Sequence, residues 1–295
     1  MNICAAIAMP DKVFRETLHR GYGQALDIGS VLFESKTEHQ HLLIFENETF
    51  GRVLALDGVV QTTERDEFIY HEMLAHVPLF SHPTPKDVLI IGGGDGGLLR
   101  EVIKHQTVER VVQVEIDRAV IDLCSTYLPG HSQGAFEHPK AEIVIGDGID
   151  FVCETERRFD VVLSDCTDPI GPGEVLFSSR FYAGVARCLK PGGIFVAQNG
   201  SAFLQPEEVT TTYQRLSPYF AQRRFYGAAV PTYVGGILTF AWAAFDAAQA
   251  LPDAATLQQR FADSGVKTRY YNPDLHGASF ALPQYVLEAI AATGV

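Results

Sequence analysis

The chain has 295 residues, 46% of them hydrophobic and 20% charged, a balance that indicates a globular protein and not a disordered or fibrous one. Its 36 acidic and 23 basic side chains leave a formal net charge of −13, which argues against nucleic acid or an anionic membrane as a partner and suits a cationic small molecule. Five cysteines without a C-x-x-C pair predict neither a disulfide framework nor a zinc cluster, and with no recognisable leader or membrane span we expect a cytoplasmic protein.

The first predicted elements are short β-type runs separated by turn residues. They are residues 31–33, 41–45 and 52–56. The polar break at 46–49 and the pair Asp57-Gly58 predict hairpin turns beside these runs. We therefore expect a small antiparallel β domain, preceded by an N-terminal extension to which no function is assigned.

A helix is predicted after this β domain. Residues 63–76 have helical spacing, with acidic residues concentrated near the start, where the helix dipole favours them. We expect this helix to lead from a β domain at residues 1–72 into a catalytic domain at residues 73–295.

From Pro85 onward, apolar strands alternate with glycine turns and helices. The predicted strands are 88–91, 111–114, 141–145, 161–164 and 193–198, and the helices include 98–105 and 118–128. This alternation predicts an α/β fold with a doubly wound, mostly parallel sheet that is Rossmann-like and of the methyltransferase type. Residues 225–230 and 236–241 predict a hairpin that adds an antiparallel edge.

A glycine-rich turn at residues 92–97 joins the first of these strands to its helix, and Glu115 ends the next strand. Glycines such as Gly92 and Gly94 allow a ligand close to the backbone, and a carboxylate at the second position can accept both hydroxyls of a ribose. The spacing also fits a dinucleotide-binding dehydrogenase or a turn that binds nothing. Because Asp95 would repel a pyrophosphate, the sequence favours a sulfonium nucleoside, S-adenosylmethionine or its decarboxylated form, over NAD.

Two further acidic turns follow later strands. Asp147-Gly148 comes directly after the strand 141–145, where Asp147 either accepts the adenine amine or caps the next helix. Asp165 and Asp168 lie on the proline-containing loop that leaves the strand 161–164. Unless this loop is merely a turn, its carboxylates and Asp95 form a pocket for an amine, which must lose a proton before it can attack a sulfonium carbon.

Five segments, taken in their order along the chain, resemble the spermidine synthase family of polyamine aminopropyltransferases. They are residues 61–73, 92–97, 114–117, 165–172 and 231–233, and they spread over most of the chain. The resemblance implies transfer of an aminopropyl group from decarboxylated S-adenosylmethionine to putrescine, giving spermidine and methylthioadenosine. It also implies that the donor is a co-substrate. The displacement requires no metal and the spacing of His and Cys residues indicates none, so we expect no cofactor or metal.

The resemblance extends to individual residues of the site. It implies Asp165 as the proton acceptor, with Tyr70 and Tyr233 holding and deprotonating the amine. The implied amine contacts are His71, Asp95, Asp168 and Gln61, and the implied nucleoside contacts are Gln40, Glu115, Asp147, Gly148, Pro172, Gly92 and Gly94. Family members pair as homodimers through the β domain, and some form homotetramers.

Two positions depart from the family pattern, and three other functions compete with it. His71 stands where many relatives have glutamine, and Gly146 where close bacterial relatives have a second aspartate. The competing functions are an amine N-methyltransferase, the dehydrogenase above and a polyamine-binding protein without catalysis. Cadaverine, agmatine or spermidine are alternatives to putrescine, because the depth of the pocket determines which length of amine fits.

Overall fold

The structure, a computed structural model, describes residues 12–169, 171–246 and 251–295, with no side-chain description for residues 171 and 172. The chain divides into two compact units, one ending at Arg65 and the other beginning at Asp66. This division lies before the expected boundary at residue 72, because a continuous helix of the second unit runs through that position. No helix in the described ranges has both the length and the hydropathy needed to cross a membrane.

The N-terminal unit contains two antiparallel sheets. Its strands are β1 (Val13–Arg15), β2 (Ala25–Asp27), β3 (Ser30–Lys36), β4 (His41–Asn47), β5 (Gly51–Leu56) and β6 (Val59–Thr63). β1 pairs with β2, while β3 to β6 form a four-stranded meander, so the predicted antiparallel β structure is confirmed. The pair β1 and β2 was not predicted, because three-residue strands are too short to show an alternating pattern.

Both predicted hairpin turns of this unit are present. The Asn47 side-chain oxygen accepts the N–H groups of Thr49 and Phe50 at 3.0 and 2.9 Å, which closes the turn between β4 and β5. Asp57 and Gly58 both have positive φ, 48° and 80°, as a two-residue turn between β5 and β6 requires.

The second unit is built on a seven-stranded sheet. Its strands are β7 (Asp87–Gly92), β8 (Arg110–Glu115), β9 (Ala141–Ile145), β10 (Phe159–Asp165), β11 (Leu189–Ser201), β12 (Gln222–Ala228) and β13 (Leu238–Ala244). The sheet order is β12-β13-β11-β10-β7-β8-β9. The five strands from β7 to β11 are parallel, and β13 is antiparallel to both β11 and β12, so the predicted fold and its antiparallel hairpin are confirmed.

Helices cover both faces of this sheet. They are α1 (Glu67–Ser81), α2 (Gly97–Ile103), α3 (Arg118–Tyr127), α4 (Pro129–Ser132), α5 (Gly148–Glu154), α6 (Ser179–Cys188), α7 (Pro206–Leu216), α8 (Ala254–Ser264), α9 (Pro273–Ser279) and α10 (Gln284–Ala291). One buried core includes apolar side chains of α1, α2 and α8, and a second includes those of α5, α6, α7 and α10. Burial of apolar side chains on both faces explains why the parallel strands read as continuous apolar runs.

Helix α1 begins four residues later than predicted and ends five residues later, at Ser81. Its start is delayed because residues 62 and 63 still belong to β6. Asp66, directly before the helix, accepts the N–H and the hydroxyl of Thr232 at 2.9 and 2.7 Å. This carboxylate therefore ties the start of α1 to the loop that carries Tyr233.

The connections of the sheet reverse direction between β7 and β10. From β7 the chain moves outward to β8 and β9, and it then returns to β10 on the other side of β7. Open α/β sheets bind their ligands at the carboxyl ends of the strands where such a reversal occurs. The candidate site is therefore expected beyond Gly92 and Asp165, which are paired in the register of these two strands.

Candidate active site

The glycine turn after β7 lies directly against the end of β10. The N–H of Gly93 donates to the carbonyl of Asp165 at 2.9 Å. Gly92 has φ +83°, and a Cβ at this position would collide with the same carbonyl. A Cβ on Gly94 would lie 2.9 Å from a carboxylate oxygen of Glu115. A close backbone approach therefore explains glycine at position 92, and close side-chain packing explains it at position 94. Their contact with a nucleoside stays a prediction.

Asp165 and Tyr70 form the central hydrogen bond of the site. The Tyr70 hydroxyl donates to Oδ1 of Asp165 at 2.7 Å. Desolvation by the surrounding protein and the negative charge of Asp95 raise the pKa of Asp165 to about 6, although the charge of His71 and the Tyr70 hydrogen bond oppose this shift. Asp165 can therefore exchange a proton near neutral pH, as a general base requires.

Tyr233 packs against Tyr70 from the loop after β12. The two ring centroids are 5.6 Å apart with an interplanar angle of 81°, an edge-to-face contact. Burial and the nearby carboxylates raise the pKa of both phenols well above the ordinary value. Both tyrosines are therefore neutral hydrogen-bond donors, and the structure brings them together with Asp165.

Asp95 and His71 form a second pair in the same crevice. Nε2 of His71 lies 3.4 Å from Oδ2 of Asp95, whose Oδ1 accepts the N–H of Gly97 at 2.7 Å. Burial alone would raise the pKa of Asp95, but the charge and hydrogen bond of His71 outweigh it and hold that pKa well below its usual range. Asp95 is therefore ionised at neutral pH and available to a cation.

Two glutamines that the sequence analysis missed support the loop after β10. Nε2 of Gln198 donates to the carbonyls of Cys166 and Thr167, both at 3.2 Å. Nε2 of Gln205 donates to Oδ1 of Asp168 at 2.7 Å. The signal for Gln198 was its place at the carboxyl end of a predicted strand, but Gln205 lies in no motif. These bonds orient the loop that carries Asp168.

Glu115 is the last residue of β8 and is buried. One of its carboxylate oxygens accepts the N–H of Asp117 at 2.9 Å. Burial is the main reason why the pKa of Glu115 rises to about 7, and the charges of Asp117 and Asp165 add to the shift. A carboxyl group at this place can accept hydrogen bonds from hydroxyl groups, and these bonds are stronger when the group is ionised.

The turn after β9 has a local role. Oδ1 of Asp147 accepts the N–H of Ile149 at 2.9 Å and caps α5, which is the alternative to adenine binding weighed from the sequence. A Cβ on Gly148 would collide with the Ile91 side chain, so glycine lets α5 approach β7. Contacts of Asp147 and Gly148 with a nucleoside stay predictions, and the side chain of Pro172 lies outside the described residues.

Gln40 and Gln61 belong to the N-terminal unit. Gln40 closes a turn before β4, where its carbonyl accepts the N–H of Thr37 at 2.9 Å. Gln61 lies at an irregularity in the pairing of β5 and β6, next to Thr62. Their roles toward nucleoside and amine stay predictions. Among the described residues, no group of three or more His, Cys, Asp or Glu side chains is arranged to hold a metal ion.

Comparison with family models and known proteins identifies the family. Residues 67–251 match the spermine/spermidine synthase domain, and residues 12–64 match the spermidine synthase tetramerisation domain. A polyamine aminopropyltransferase of Serratia proteamaculans is 59% identical over 279 residues, which cover 95% of this chain and 97% of that protein. The polyamine aminopropyltransferase 1 of Pseudomonas aeruginosa is 61% identical over 278 residues, 94% of this chain and 97% of that protein.

Solved structures give the same result. A spermidine synthase in complex with the transition-state analogue AdoDATO has a TM-score of 0.89 and 38% identity, with 96% of each chain covered. The spermidine synthase of Thermotoga maritima has a TM-score of 0.87 and 37% identity, covering 95% of this chain and 94% of that one. These likenesses span both units and favour aminopropyl transfer over the dehydrogenase, methyltransferase and binding-protein alternatives. The chain belongs to the spermine/spermidine synthase family and is an aminopropyltransferase.

Proposed function

We propose that this aminopropyltransferase moves the aminopropyl group of decarboxylated S-adenosylmethionine to putrescine, with Asp165 as the general base. The observation that carries the proposal is the hydrogen bond of 2.7 Å between Tyr70 and Asp165 in a crevice that also holds the Asp95 carboxylate. Several carboxylates in one crevice favour cationic ligands, and both proposed substrates carry ammonium groups. The relative crystallised with AdoDATO supports a nucleoside-linked donor.

The proposed reaction is a direct displacement. The amine nitrogen of putrescine forms a bond to the aminopropyl carbon beside sulfur while the bond from that carbon to sulfur breaks. The bonding electron pair moves to the sulfonium, which becomes the neutral thioether of methylthioadenosine. One proton passes from the nitrogen to Asp165, so that spermidine is formed and charge is conserved.

The residues supply orientation as well as the base. The hydroxyl of Tyr70 holds one Asp165 oxygen and leaves the other for the amine. Asp95 would bind the ammonium end of the aminopropyl group, while Asp168, supported by Gln205, would bind the distant amine of putrescine. Neutralisation of the sulfonium supplies driving force for proton transfer to a carboxylate.

The test is a product assay resolved by mass. The purified protein is given decarboxylated S-adenosylmethionine with putrescine, cadaverine, agmatine or spermidine, and S-adenosylmethionine replaces the donor in parallel reactions. We expect spermidine and methylthioadenosine from putrescine. Another aminopropylated amine as the main product would contradict putrescine as the acceptor, and a methylated product would contradict the donor.

Glu115 makes the proposed binding of the nucleoside dependent on pH. Its carboxylate has a pKa of about 7, and hydroxyl donors of a ribose favour the ionised form. We therefore expect the affinity for methylthioadenosine to rise as the pH increases through this value. In Glu115→Gln, the affinity should fall about 10-fold at about pH 8 and change little with pH.

Isothermal titration calorimetry with methylthioadenosine at several pH values measures both effects. Glu109→Gln is a matched control, because Glu109 is an exposed side chain paired with Lys86. Unchanged affinity in Glu115→Gln, with the pH dependence retained, would contradict binding of the ribose by Glu115.

We further propose that the chain forms a homo-oligomer through its N-terminal unit, as a dimer or a tetramer. The match of residues 12–64 to a spermidine synthase tetramerisation domain supports this assembly. That the protein is located in the cytoplasm and needs no cofactor or metal stays a prediction.

A further inference from the structure

A chain of buried charged groups lies behind His71. Nδ1 of this histidine is 2.6 Å from Oε2 of Glu67, one helical turn earlier in α1. Both Glu67 oxygens also accept bonds from Arg100, at 3.2 Å from Nη1 and 2.9 Å from Nη2. The guanidinium continues to Glu101, to which its Nε donates at 2.8 Å. Neither Glu67 nor Arg100 belongs to the site residues proposed above.

The contacts of Arg100 determine which ring nitrogen of His71 carries a fixed proton. A guanidinium only donates hydrogen bonds, so Glu67 must accept both of its bonds as a carboxylate. The short contact between Glu67 and Nδ1 then requires a proton on Nδ1. Nε2, which faces Asp95, is the nitrogen that can be protonated or deprotonated.

The position of the ring is also restricted. A Cβ on Gly97, at the start of α2, would collide with the His71 ring. The ring makes edge contacts with Tyr70, at 5.3 Å between centroids, and with His131, at 6.3 Å. The imidazole therefore cannot turn away from Glu67 and Asp95 without displacing α2 or these neighbours.

Three carboxylates and two possible cations surround His71. Glu67 and Asp95 contact the ring directly, and Asp165, at the end of β10, interacts with it through their charges. The two groups that can carry positive charge are Arg100, which is paired with Glu67, and His131, whose pKa is lowered by burial. Burial alone would lower the pKa of His71, but its carboxylate neighbours raise it well above the ordinary value. The ligand-free ring is therefore an imidazolium at neutral pH.

An ammonium group that binds to Asp95 competes with this imidazolium. Both are cations, and Asp95 offers its Oδ2 to the ring while Oδ1 accepts the N–H of Gly97. If the ring gives up its Nε2 proton, the like-charge repulsion ends. The bare Nε2 can then accept a hydrogen bond from the ammonium, provided that Nδ1 keeps its proton.

We propose that Glu67, anchored by Arg100, is a positioning residue that keeps the proton on Nδ1 of His71, so that binding of an ammonium group at Asp95 releases the Nε2 proton and converts this nitrogen from a donor into an acceptor. One ammonium group enters and one proton leaves to the solvent, so the charge next to Asp95 is conserved. The inference deepens the proposed function and rests on its placement of an ammonium group at Asp95.

Nitrogen NMR of the ring in ligand-free protein tests the first half of the proposal. With histidine labelled with ¹⁵N, and the His71 signals assigned by their loss in His71→Gln, both ring nitrogens should be protonated at neutral pH. In Glu67→Gln the proton affinity of His71 should fall roughly tenfold or more, because a charge-assisted bond is lost. A bare Nδ1 in the unmodified protein would overturn the proposal, whether or not the variant folds.

Calorimetry tests the second half. Binding of decarboxylated S-adenosylmethionine is measured near neutral pH in buffers of different ionisation enthalpy, which gives the number of protons released. Any proton that Glu115 loses when the nucleoside binds is common to all variants, so the difference between variants reports on His71. We expect the unmodified protein and the surface control Glu109→Gln to release close to one proton more than His71→Gln, and Glu67→Gln to release much less than the unmodified protein. Equal release from Glu67→Gln and the unmodified protein would overturn the proposal.

A double-mutant cycle separates positioning from a structural role. If Glu67 acts through His71, adding Glu67→Gln to His71→Gln should leave the KM of the donor and its pH dependence unchanged. A further loss equal to that of the single variant would show that Glu67 acts by another route. Failure of the donor to bind at all would instead contradict the proposed function, while the NMR titration would still decide the state of His71.

Discussion

We expect Asp165→Asn to lower kcat by roughly 100-fold or more. The carboxylate lies at the end of β10, its Oδ1 accepts the Tyr70 hydroxyl at 2.7 Å, and its raised pKa of about 6 suits proton transfer near neutral pH. Asparagine has nearly the same shape and can still accept the Tyr70 hydrogen bond, but it cannot take a proton from the amine. The loss should therefore appear mainly in kcat, with the thermal unfolding midpoint close to that of the unmodified protein.

The pH profile adds an independent signature of this role. Asp165 is an effective base only when ionised, so kcat of the unmodified enzyme should fall as the pH drops below about 6. The hydrogen bond from Tyr70 lowers the pKa of Asp165, and Tyr70→Phe should therefore move this fall to higher pH.

Steady-state rates across the pH range, measured on both variants, give these quantities. Tyr70→Phe is the matched control, since it disturbs the same hydrogen bond but leaves the base in place. Turnover of Asp165→Asn within a few-fold of the unmodified enzyme would remove Asp165 from the role of base.

The second large effect is expected at Asp95, in the choice of donor. This carboxylate stays ionised because the charge and hydrogen bond of His71 outweigh its burial. It should attract the ammonium end of the decarboxylated donor and repel the additional carboxylate of S-adenosylmethionine. In Asp95→Asn, the preference for the decarboxylated donor should fall about 10- to 100-fold, as the loss of a charged hydrogen bond predicts.

Competition between the two donors, measured as the ratio of their affinities, tests this expectation. Asp122→Asn serves as the control for charge alone, because Asp122 is an exposed residue paired with Arg118. The variant His71→Gln shows how much of the effect comes from the histidine partner. An unchanged ratio in Asp95→Asn would assign donor selectivity to other residues.

The sequence predicted the catalytic unit well, because parallel strands covered on both faces are continuous apolar runs. The runs that became β7 to β11 could be located for this reason. The hairpin of β12 and β13 could be located because two strand-like runs flank the turn residues 231–233. The end of α1 could not, since its apolar pattern continues through Pro78 to Ser81 with most side chains buried and no polar face to mark a boundary. The pair β1 and β2 was missed because such short strands depend on pairing and not on pattern.

The candidate site divides in the same way. Asp95, Glu115, Asp147 and Asp165 could be proposed as site residues because each follows a predicted strand, and the carboxyl ends of parallel strands meet at one edge of a sheet. Glu67, Gln198 and Gln205 were not assigned roles, because their importance lies in their partners. Those partners are His71 with Arg100 for Glu67, the loop carbonyls for Gln198, and Asp168 for Gln205.

The sequence by itself therefore determined the fold class, the family resemblance and the acidic character of the crevice, since these depend on local pattern and residue type. Only the tertiary structure decided which groups form hydrogen bonds with one another. Tyr70 and Asp165 are 95 positions apart in the chain, and the hydrogen bond between them exists because the packing of α1 against the sheet brings Tyr70 to the end of β10. Proton affinity depends on burial and on charges a few ångströms away, which packing of distant segments creates and no local pattern encodes.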